Sequence, residues 1–117
     1  MGLNLASKPY FVHLVAEIKC SFEEGNSVDW VSNKVKLLLN ELDVQVLESS
    51  SRHFEPQGIS QVYVLSASHI AVHTWPENEY LHLDLICCKE GVNLESFSDS
   101  IKKTFKDTAN KTTELKY

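Results

Sequence analysis

The chain has 117 residues, of which 43% are hydrophobic and 23% are charged, and its net charge is -5 at pH 7. This length predicts a single domain, 1–117, with a modest core. An acidic chain whose lysines form no stripe argues against nucleic acid or an anionic membrane as a partner. No apolar run approaches the roughly 20 residues that a membrane-spanning helix needs.

The cysteine count predicts a reducing compartment. The chain has three cysteines, an odd number without the spacing of a disulfide framework. Its first residues also lack the basic segment and the apolar segment of a secretory signal. We therefore expect free thiols and a cytoplasmic location.

The first half of the chain combines strand and helix patterns. Residues 10–20 alternate loosely and are rich in β-branched residues, which predicts a strand. A turn is expected at 23–26, and Asn26 or Ser27 can cap a helix that runs to about Glu41. The apolar stripe of that helix is Val28, Val31, Val35, Leu38 and Leu42. A second strand is expected over residues 43–54, ended by the turn signal Glu-Pro-Gln-Gly.

The second half of the chain predicts further strands and a last helix. The strands are expected over residues 59–67, 69–75 and 80–88, and the helix over residues 94–105. Because the first two of these strands are nearly continuous, the chain must bend near Ala67 and Ser68. Pro76 and the three residues after it predict the next hairpin turn. The polar tail, 110–117, is only weakly specified.

The element order β-α-β-β-β-β-α predicts an α+β fold. Short connections between strands imply antiparallel pairing. The last helix, like the first, has one apolar face, formed by Leu94, Phe97, Ile101 and Phe105. We therefore expect a two-layer arrangement in which an antiparallel sheet carries the helices on one face. The other face would be solvated or buried against a second sheet.

Strand alternation sorts the polar residues to one face. In the last strand, Leu81, Leu83, Leu85 and Cys87 point to one side, and His82, Asp84, Ile86 and Cys88 to the other. The leucine side is the natural core, so Cys87 is expected to behave as a small hydrophobic residue. In the preceding strand, His69, Ala71 and His73 oppose Ile70 and Val72. Hairpin pairing can thus bring His73 and Cys88 to the same side of the sheet, unless a bulge intervenes.

Ser68, His73 and Cys88 offer the side chains of covalent catalysis if strand pairing brings them together. The chain has no Gly-x-Ser-x-Gly elbow, which argues against a Ser-His-Asp hydrolase. A metal site of His69, His73 and Cys88 lacks the supporting ligand spacing, so we predict no metal. The alternative is that the histidines are structural. On this alternative, Phe54 and Trp75 are aromatic residues of the core or of an interface.

A longer motif favours a catalytic role for these residues over a structural one. Residues 66–77, Ser-Ala-Ser-His-Ile-Ala-Val-His-Thr-Trp-Pro-Glu, closely resemble the signature of the small prokaryotic S-adenosylmethionine decarboxylases, Glu-Ser-His-x-x-x-His-Thr-(aromatic)-Pro-Glu. Further matches in register are His13–Glu17, Arg52–Phe54, Pro56–Ser60 and Asp84–Cys88. The resemblance covers about residues 10–107, essentially the whole domain.

The resemblance implies a proenzyme that cuts itself between Ala67 and Ser68 and converts Ser68 into a pyruvoyl cofactor. Ser68 Oγ would attack the Ala67 carbonyl, and elimination of the resulting ester would leave residues 1–67 and 68–117 as separate pieces. By the same resemblance, Ser60 holds the oxyanion and His73 moves protons during processing.

The resemblance also implies the chemistry of the mature enzyme. The pyruvoyl group would form a Schiff base with S-adenosylmethionine and act as an electron sink, and Cys88 would return a proton after carbon dioxide leaves. Phe54 resembles the residue that stacks on adenine, and Glu77 the acid that holds the ribose hydroxyls. Trp75 fills the aromatic position of the motif, and Asp84 is expected to be structural or supporting. The product would be the aminopropyl donor for spermidine synthesis, and the family implies a homodimer in which two sheets stack as an αββα sandwich.

Ala67 departs from the family pattern, which has glutamate before the serine. The acyl shift needs only the carbonyl of residue 67, so alanine does not forbid cleavage. A carboxylate there could still position the scissile bond. Two alternatives therefore stay open: a decarboxylase of the same fold that acts on another amine, such as arginine or ornithine, and an unprocessed, silent homologue that binds a ligand or a partner subunit.

Overall fold

The computed structural model describes residues 7–117, so the first six residues of the predicted domain lie outside the described part. It contains one six-stranded sheet with the strand order β2-β3-β4-β5-β1-β6, and every pairing is antiparallel. The strands are β1 (Val12–Lys19), β2 (Val46–His53), β3 (Ile59–Leu65), β4 (Ser68–Trp75), β5 (Tyr80–Cys87) and β6 (Asn110–Leu115). The helices are α1 (Phe22–Gly25), α2 (Val28–Glu41) and α3 (Leu94–Thr104), and a 3₁₀ turn spans Pro76–Asn78.

The core lies between one face of the sheet and the helices α2 and α3. The predicted core face of β5 is confirmed, because Leu81, Leu83, Leu85 and Cys87 are all 0% exposed. The two predicted helix stripes are confirmed as well: Val31, Val35, Leu38, Leu42, Phe97, Ile101 and Phe105 are buried, and Val28 and Leu94 pack against them partly buried. The predicted α+β fold with helices on one face is therefore confirmed.

Local capping explains where the two long helices begin. Ser27 precedes α2, and its Oγ accepts a hydrogen bond from the Trp30 N–H at 3.2 Å. Asn93 precedes α3 and forms a reciprocal capping box with Ser96. Each cap satisfies a backbone donor that the first helical turn leaves without a partner.

The structure corrects the sequence prediction at two elements. The predicted turn at 23–26 contains a single helical turn, α1, capped by the Ser21 hydroxyl. The tail that was predicted to be weakly specified forms β6, which pairs with the outer edge of β1 from His13 to Ile18. A polar edge strand has no local apolar pattern by which the sequence could predict it. The strand β6 forms because β1, nearly one hundred residues away in the chain, offers it an unpaired edge.

The face of the sheet opposite α2 and α3, hereafter the open face, has no covering layer in the described chain. Val62 and Val64 stand on it 44% and 42% exposed. Its remaining residues mix half-buried apolar and titratable side chains, among them His13, Val15, Glu17, His73, His82 and Asp84. Within the described residues, no helix is both long enough and apolar enough to cross a membrane.

Phe97→Ala tests the assignment of the core. Phe97 is 0% exposed between α3 and the sheet. We expect its truncation to lower the free energy of unfolding by about 3–5 kcal/mol, because a cavity adds to the lost burial. Urea denaturation followed by circular dichroism measures the change. Leu47→Ala is the matched control, because Leu47 is 61% exposed and its loss should change stability by no more than about 0.5 kcal/mol. Equal effects of the two substitutions would contradict the assignment.

Candidate active site

Ser68 lies at a tight hairpin between β3 and β4. Leu65 pairs with Ser68, so only Ser66 and Ala67 form the loop. This confirms the predicted bend near Ala67 and Ser68. Ser68 has φ of +118°, a backbone conformation that residues with a side chain rarely adopt. Such a residue stores about 1–3 kcal/mol of strain, which persists only where the surroundings enforce it.

Cys88 lies directly beside this hairpin. Ser68 pairs with Cys87 across β4 and β5, and the Cys88 N–H donates a hydrogen bond to the Ala67 carbonyl oxygen at 3.0 Å. The Cys88 side chain is exposed, while Cys20 and Cys87 are buried. The hairpin therefore brings together Ala67, Ser68 and Cys88, and it aims a fixed N–H at the carbonyl of residue 67.

The other predicted site residues gather at the opposite end of the open face. A shallow groove of about 230 Å³, hereafter the histidine groove, is lined by Phe54, Gln57, Gly58, Ile59, Ser60, His73, Thr74, Trp75 and Glu77. Ser60 Oγ and His73 Nδ1 are hydrogen-bonded at 2.8 Å. Five residues that were singled out from the sequence thus share this groove. Gln57, Gly58, Ile59 and Thr74 were not singled out as lining residues, although all four lie inside the quoted matches at 56–60 and 66–77.

Two turns border this groove. The turn between β2 and β3 contains a cis peptide bond before Pro56, and Gly58 has φ of +106°. The Phe54 N–H donates to the Gly58 carbonyl oxygen at 2.8 Å, which folds the turn back on itself. On the far side, the 3₁₀ turn that begins at Pro76 carries Glu77 past the end of β4. Phe54 and Trp75 therefore stand 44% and 43% exposed at the rim, not in the core.

The expectation that strand pairing joins Ser68, His73 and Cys88 is only half right. His73 and Asp84 both face away from the helices, as predicted. However, Ser68 pairs with Cys87 while His73 pairs with His82, five residues further along each strand. Five residues of strand span about 16 Å. Within one chain, the imidazole of His73 therefore cannot contact Ser68 or Cys88. Alternation determines which face of the sheet a side chain lies on, whereas the pairing register determines its position along the strand.

The pKa of His73 is lowered from its usual value, chiefly because burial disfavours the imidazolium and also because His82 lies beside it; Asp84 acts weakly in the opposite direction. His73, Trp75, Tyr80 and His82 form a run of neighbouring rings along the open face, with centroids 5.7–6.4 Å apart. The neutral imidazole at the start of this run can accept a proton or donate one to the Ser60 hydroxyl, depending on its tautomer.

Asp84 is held by another histidine. His13 Nε2 and Asp84 Oδ1 lie 2.6 Å apart, and His13 Nδ1 is 3.1 Å from the Tyr117 hydroxyl. This pairing agrees with the expectation that Asp84 is a supporting residue.

Burial raises the pKa of Cys87, which keeps this core thiol protonated. Residues 7–117 contain no group of three His, Cys, Asp or Glu side chains that could hold a metal ion.

The lowered pKa of His73 predicts a loss of stability at mildly acidic pH. A group whose pKa is lower in the folded chain contributes stability above its unfolded pKa of about 6.5. This stability is lost as the pH falls from there through the folded pKa. We expect NMR titration to place the His73 pKa below that of an unperturbed histidine, and His82→Gln to raise the pKa of His73 towards that ordinary value. A His73 pKa at or above the ordinary value would contradict the assignment.

Comparison with known proteins identifies the family. The family model described as S-adenosylmethionine decarboxylase matches residues 12–116. The chain is 33% identical over 79 residues to an S-adenosylmethionine decarboxylase proenzyme of Clostridium botulinum strain Hall. The aligned residues cover 67% of this chain and 68% of the relative. It is 36% identical over 95 residues to the proenzyme of that name from Thermotoga petrophila, covering 80% and 73%.

A solved structure supports the same fold. The crystal structure of the adenosylmethionine decarboxylase from Aquifex aeolicus superposes with a TM-score of 0.74 at 21% identity, covering 95% of this chain and 94% of that one. The sequence match extends from β1 to β6 and so includes the hairpin at Ser68, the histidine groove and Cys88. The chain belongs to the S-adenosylmethionine decarboxylase family.

Proposed function

We propose that the chain is a self-processing S-adenosylmethionine decarboxylase that makes its pyruvoyl group from Ser68 and supplies the aminopropyl donor for spermidine synthesis. The observation that carries this proposal is the hairpin, where a strained serine follows a carbonyl that is already hydrogen-bonded to the Cys88 N–H. The family match supplies the substrate class. The two buried thiols and the exposed thiol of Cys88 fit a reducing cytoplasm.

Self-cleavage follows from the geometry of the hairpin. Ser68 Oγ attacks the carbonyl carbon of Ala67, and the developing negative charge on the Ala67 oxygen is stabilised by the hydrogen bond from the Cys88 N–H. Collapse of this intermediate breaks the peptide C–N bond and leaves an ester. The strain at Ser68 favours this step, since breaking the peptide C–N bond releases the positive φ that the surrounding hairpin enforces.

The hairpin also suits the mature chemistry. Once formed, the pyruvoyl carbonyl supplies an electron sink for the loss of carbon dioxide. The exposed Cys88 lies next to position 68 through the paired backbone, and we assign its thiol as the proton donor. Substrate is bound by the histidine groove, where Phe54 and Trp75 offer ring faces and Glu77 offers a carboxylate for two hydroxyl groups.

The histidine groove is too small to be a complete site. Pockets for ligands of this size usually enclose roughly 300–1,000 Å³, whereas this groove encloses about 230 Å³ and is open on one side. It also lies about 16 Å from Ser68, measured by five residues of strand. A second chain over the open face would complete the wall of the groove and close this gap.

The proposed assembly is a homodimer in which two open faces stack as an αββα sandwich. The exposed Val62 and Val64 are the apolar side chains that such packing would bury. A two-fold axis through the middle of the open face would lay the Ser68 hairpin of one chain over the histidine groove of its partner. Ser60 and His73 would then serve processing, and Phe54 and Glu77 substrate binding, at the partner's Ser68 position.

We expect the purified protein to consist of two pieces, residues 1–67 and a second piece that starts with a pyruvoyl group. Ser68→Ala should remain uncut, because the nucleophile is lost while the backbone is kept. Denaturing mass spectrometry reads both results. The cleaved protein should release carbon dioxide from S-adenosylmethionine, measured with carboxyl-labelled substrate.

Two results would contradict the proposed function. A chain that stays intact and inactive, both as it is and as Ala67→Glu, would identify a silent homologue. A cleaved chain that decarboxylates arginine or ornithine but not S-adenosylmethionine would identify a different substrate class, and Phe54→Ala and Glu77→Gln would then leave its activity unchanged.

A complementation experiment tests the shared site. Ser68→Ala removes the reacting group, and Phe54→Ala combined with Glu77→Gln removes the groove contacts. Each homodimer should be nearly inactive at low substrate concentration. A heterodimer formed by refolding the two variants together should contain one intact site and recover up to about half of the wild-type activity per dimer.

Activity should return only if each site is built from both chains of the homodimer. If each site were built within one chain, every site in the mixture would carry one defect and no activity would return. The control is a mixture of Ser68→Ala with Cys88→Ala, two substitutions at the same hairpin, which should not recover. Sedimentation or light scattering must show a dimer at micromolar concentration, and a monomer would contradict the assembly.

A further inference from the structure

A second cavity lies on the other side of the Ser68 hairpin, away from the histidine groove. It encloses about 610 Å³ and is hereafter the carboxylate groove. Its lining is Leu39, Asn40, Asp43, Val44, Gln45, Ser66, Ala67 and Lys89. Among these residues Lys89 carries the positive charge and Asp43 the negative charge. The residue whose carbonyl is attacked, Ala67, thus shares a cavity with an ammonium group.

The backbone fixes Ala67 within this groove. The Ser66 N–H donates to the Gln45 carbonyl oxygen at 2.8 Å, and the Ala67 oxygen accepts from the Cys88 N–H at 3.0 Å. The loop between α2 and β2 and the residues after β5 therefore hold the hairpin from two sides. Lys89 follows Cys88 directly, so the backbone that touches the scissile carbonyl also carries the ammonium group.

Lys89 is held by one main-chain oxygen and by one exposed carboxylate. Its Nζ donates to the main-chain oxygen of Asp43 and lies 3.1 Å from Asp43 Oδ2. The Asp43 side chain is 97% exposed, and an ion pair with so exposed a carboxylate contributes at most about 1 kcal/mol. A new carboxylate inside the groove could therefore attract the ammonium group away from Asp43.

The proposed cleavage creates such a carboxylate. After the acyl shift, Ala67 is esterified to Ser68 Oγ. Removal of the Ser68 α-proton forms the Cα=Cβ double bond, the Cβ–Oγ bond breaks with its electron pair on oxygen, and the Ala67 carboxylate is released. The dehydroalanine left at position 68 becomes an imine, which takes up water and releases ammonia. Negative charge thus grows on the two oxygens of Ala67 during the elimination.

We propose that Lys89 receives the carboxylate that cleavage creates on Ala67, and that it thereby accelerates the elimination of the ester. This inference rests on the proposed self-processing. A cation beside a leaving carboxylate stabilises the charge that develops in the transition state more than it stabilises the neutral ester. Lys89 does not assist the earlier acyl shift in this way, because the oxyanion of that step is bound by the Cys88 N–H.

The experiment follows cleavage of freshly refolded chains in time by denaturing mass spectrometry. Lys89→Met keeps the length of the side chain and removes its charge. We expect it to slow the appearance of the 1–67 piece about tenfold or more, the effect of losing about 1.4 kcal/mol of transition-state stabilisation. The ester should accumulate, and brief treatment with hydroxylamine should convert it to a hydroxamate at Ala67 and a free Ser68. Lys89→Arg should restore most of the rate.

The controls separate this role from a general effect on folding. Lys103→Met removes another lysine whose Nζ lies 3.6 Å from a carboxylate oxygen, that of Glu41, on α3, and it should cleave at the wild-type rate. Asp43→Asn frees Lys89 from its carboxylate partner and should cleave at least as fast as wild type. The near-ultraviolet circular dichroism of Lys89→Met should match that of the wild-type protein.

The outcomes are distinct. If the wild-type chain cleaves and Lys89→Met cleaves at the same rate, or slows without accumulating ester, the role of Lys89 is refuted while the proposed function stands. If neither the wild-type chain nor Ala67→Glu cleaves, the proposed function fails and the role of Lys89 fails with it.

Discussion

The arrangement of the site depends on the register of three neighbouring strands. A loop of only two residues joins β3 to β4, and the pairing of Ser68 with Cys87 fixes β4 against β5. From these two constraints, Cys88 must lie beside the Ala67 carbonyl, and Ser60 must lie beside His73. A shift of one residue in either pairing would turn every side chain of the strand to the other face, burying the histidines and exposing the leucines. The core therefore enforces the register that the site requires.

The same register divides the site between two ends of the sheet. The hairpin carries Ser68, the proposed reacting serine, and a backbone donor, while the histidine groove carries aromatic rings, an imidazole and a carboxylate. On the proposed function, neither end is sufficient for binding and chemistry together, because about 16 Å of strand separates them. A small sheet with helices on one face leaves its other face uncovered. One association would bury that face and complete the site, which links the proposed dimer to the proposed activity.

Much of the fold could be predicted from local patterns. Alternation in β5 and the helical stripes of α2 and α3 follow from side-chain direction, and all were found as expected. The strand β6 was missed because its residues, Asn-Lys-Thr-Thr-Glu-Leu, form a polar edge without an apolar pattern, and it is held in the sheet by long-range pairing with β1. The candidate site residues were chosen through the motif, and their roles stay predictions, but the motif did not predict that they lie at two ends of the sheet. Alternation in the sequence predicts which face of the sheet a residue lies on. Its position along the strand relative to the next strand depends on the length of the hairpin loops, which alternation does not predict.

Alanine at position 67 is compatible with this arrangement on physical grounds. The side chain of Ala67 is partly buried against the core, whereas its carbonyl accepts the Cys88 N–H. The proposed acyl shift would use the carbonyl, the strain at Ser68 and that donor, and none of these requires a carboxylate on residue 67. A glutamate there would add a second negative charge to the groove that holds Lys89 and Asp43. On the proposed mechanism, alanine places no competing carboxylate at residue 67, so Lys89 can turn from Asp43 to the one carboxylate that the reaction itself produces.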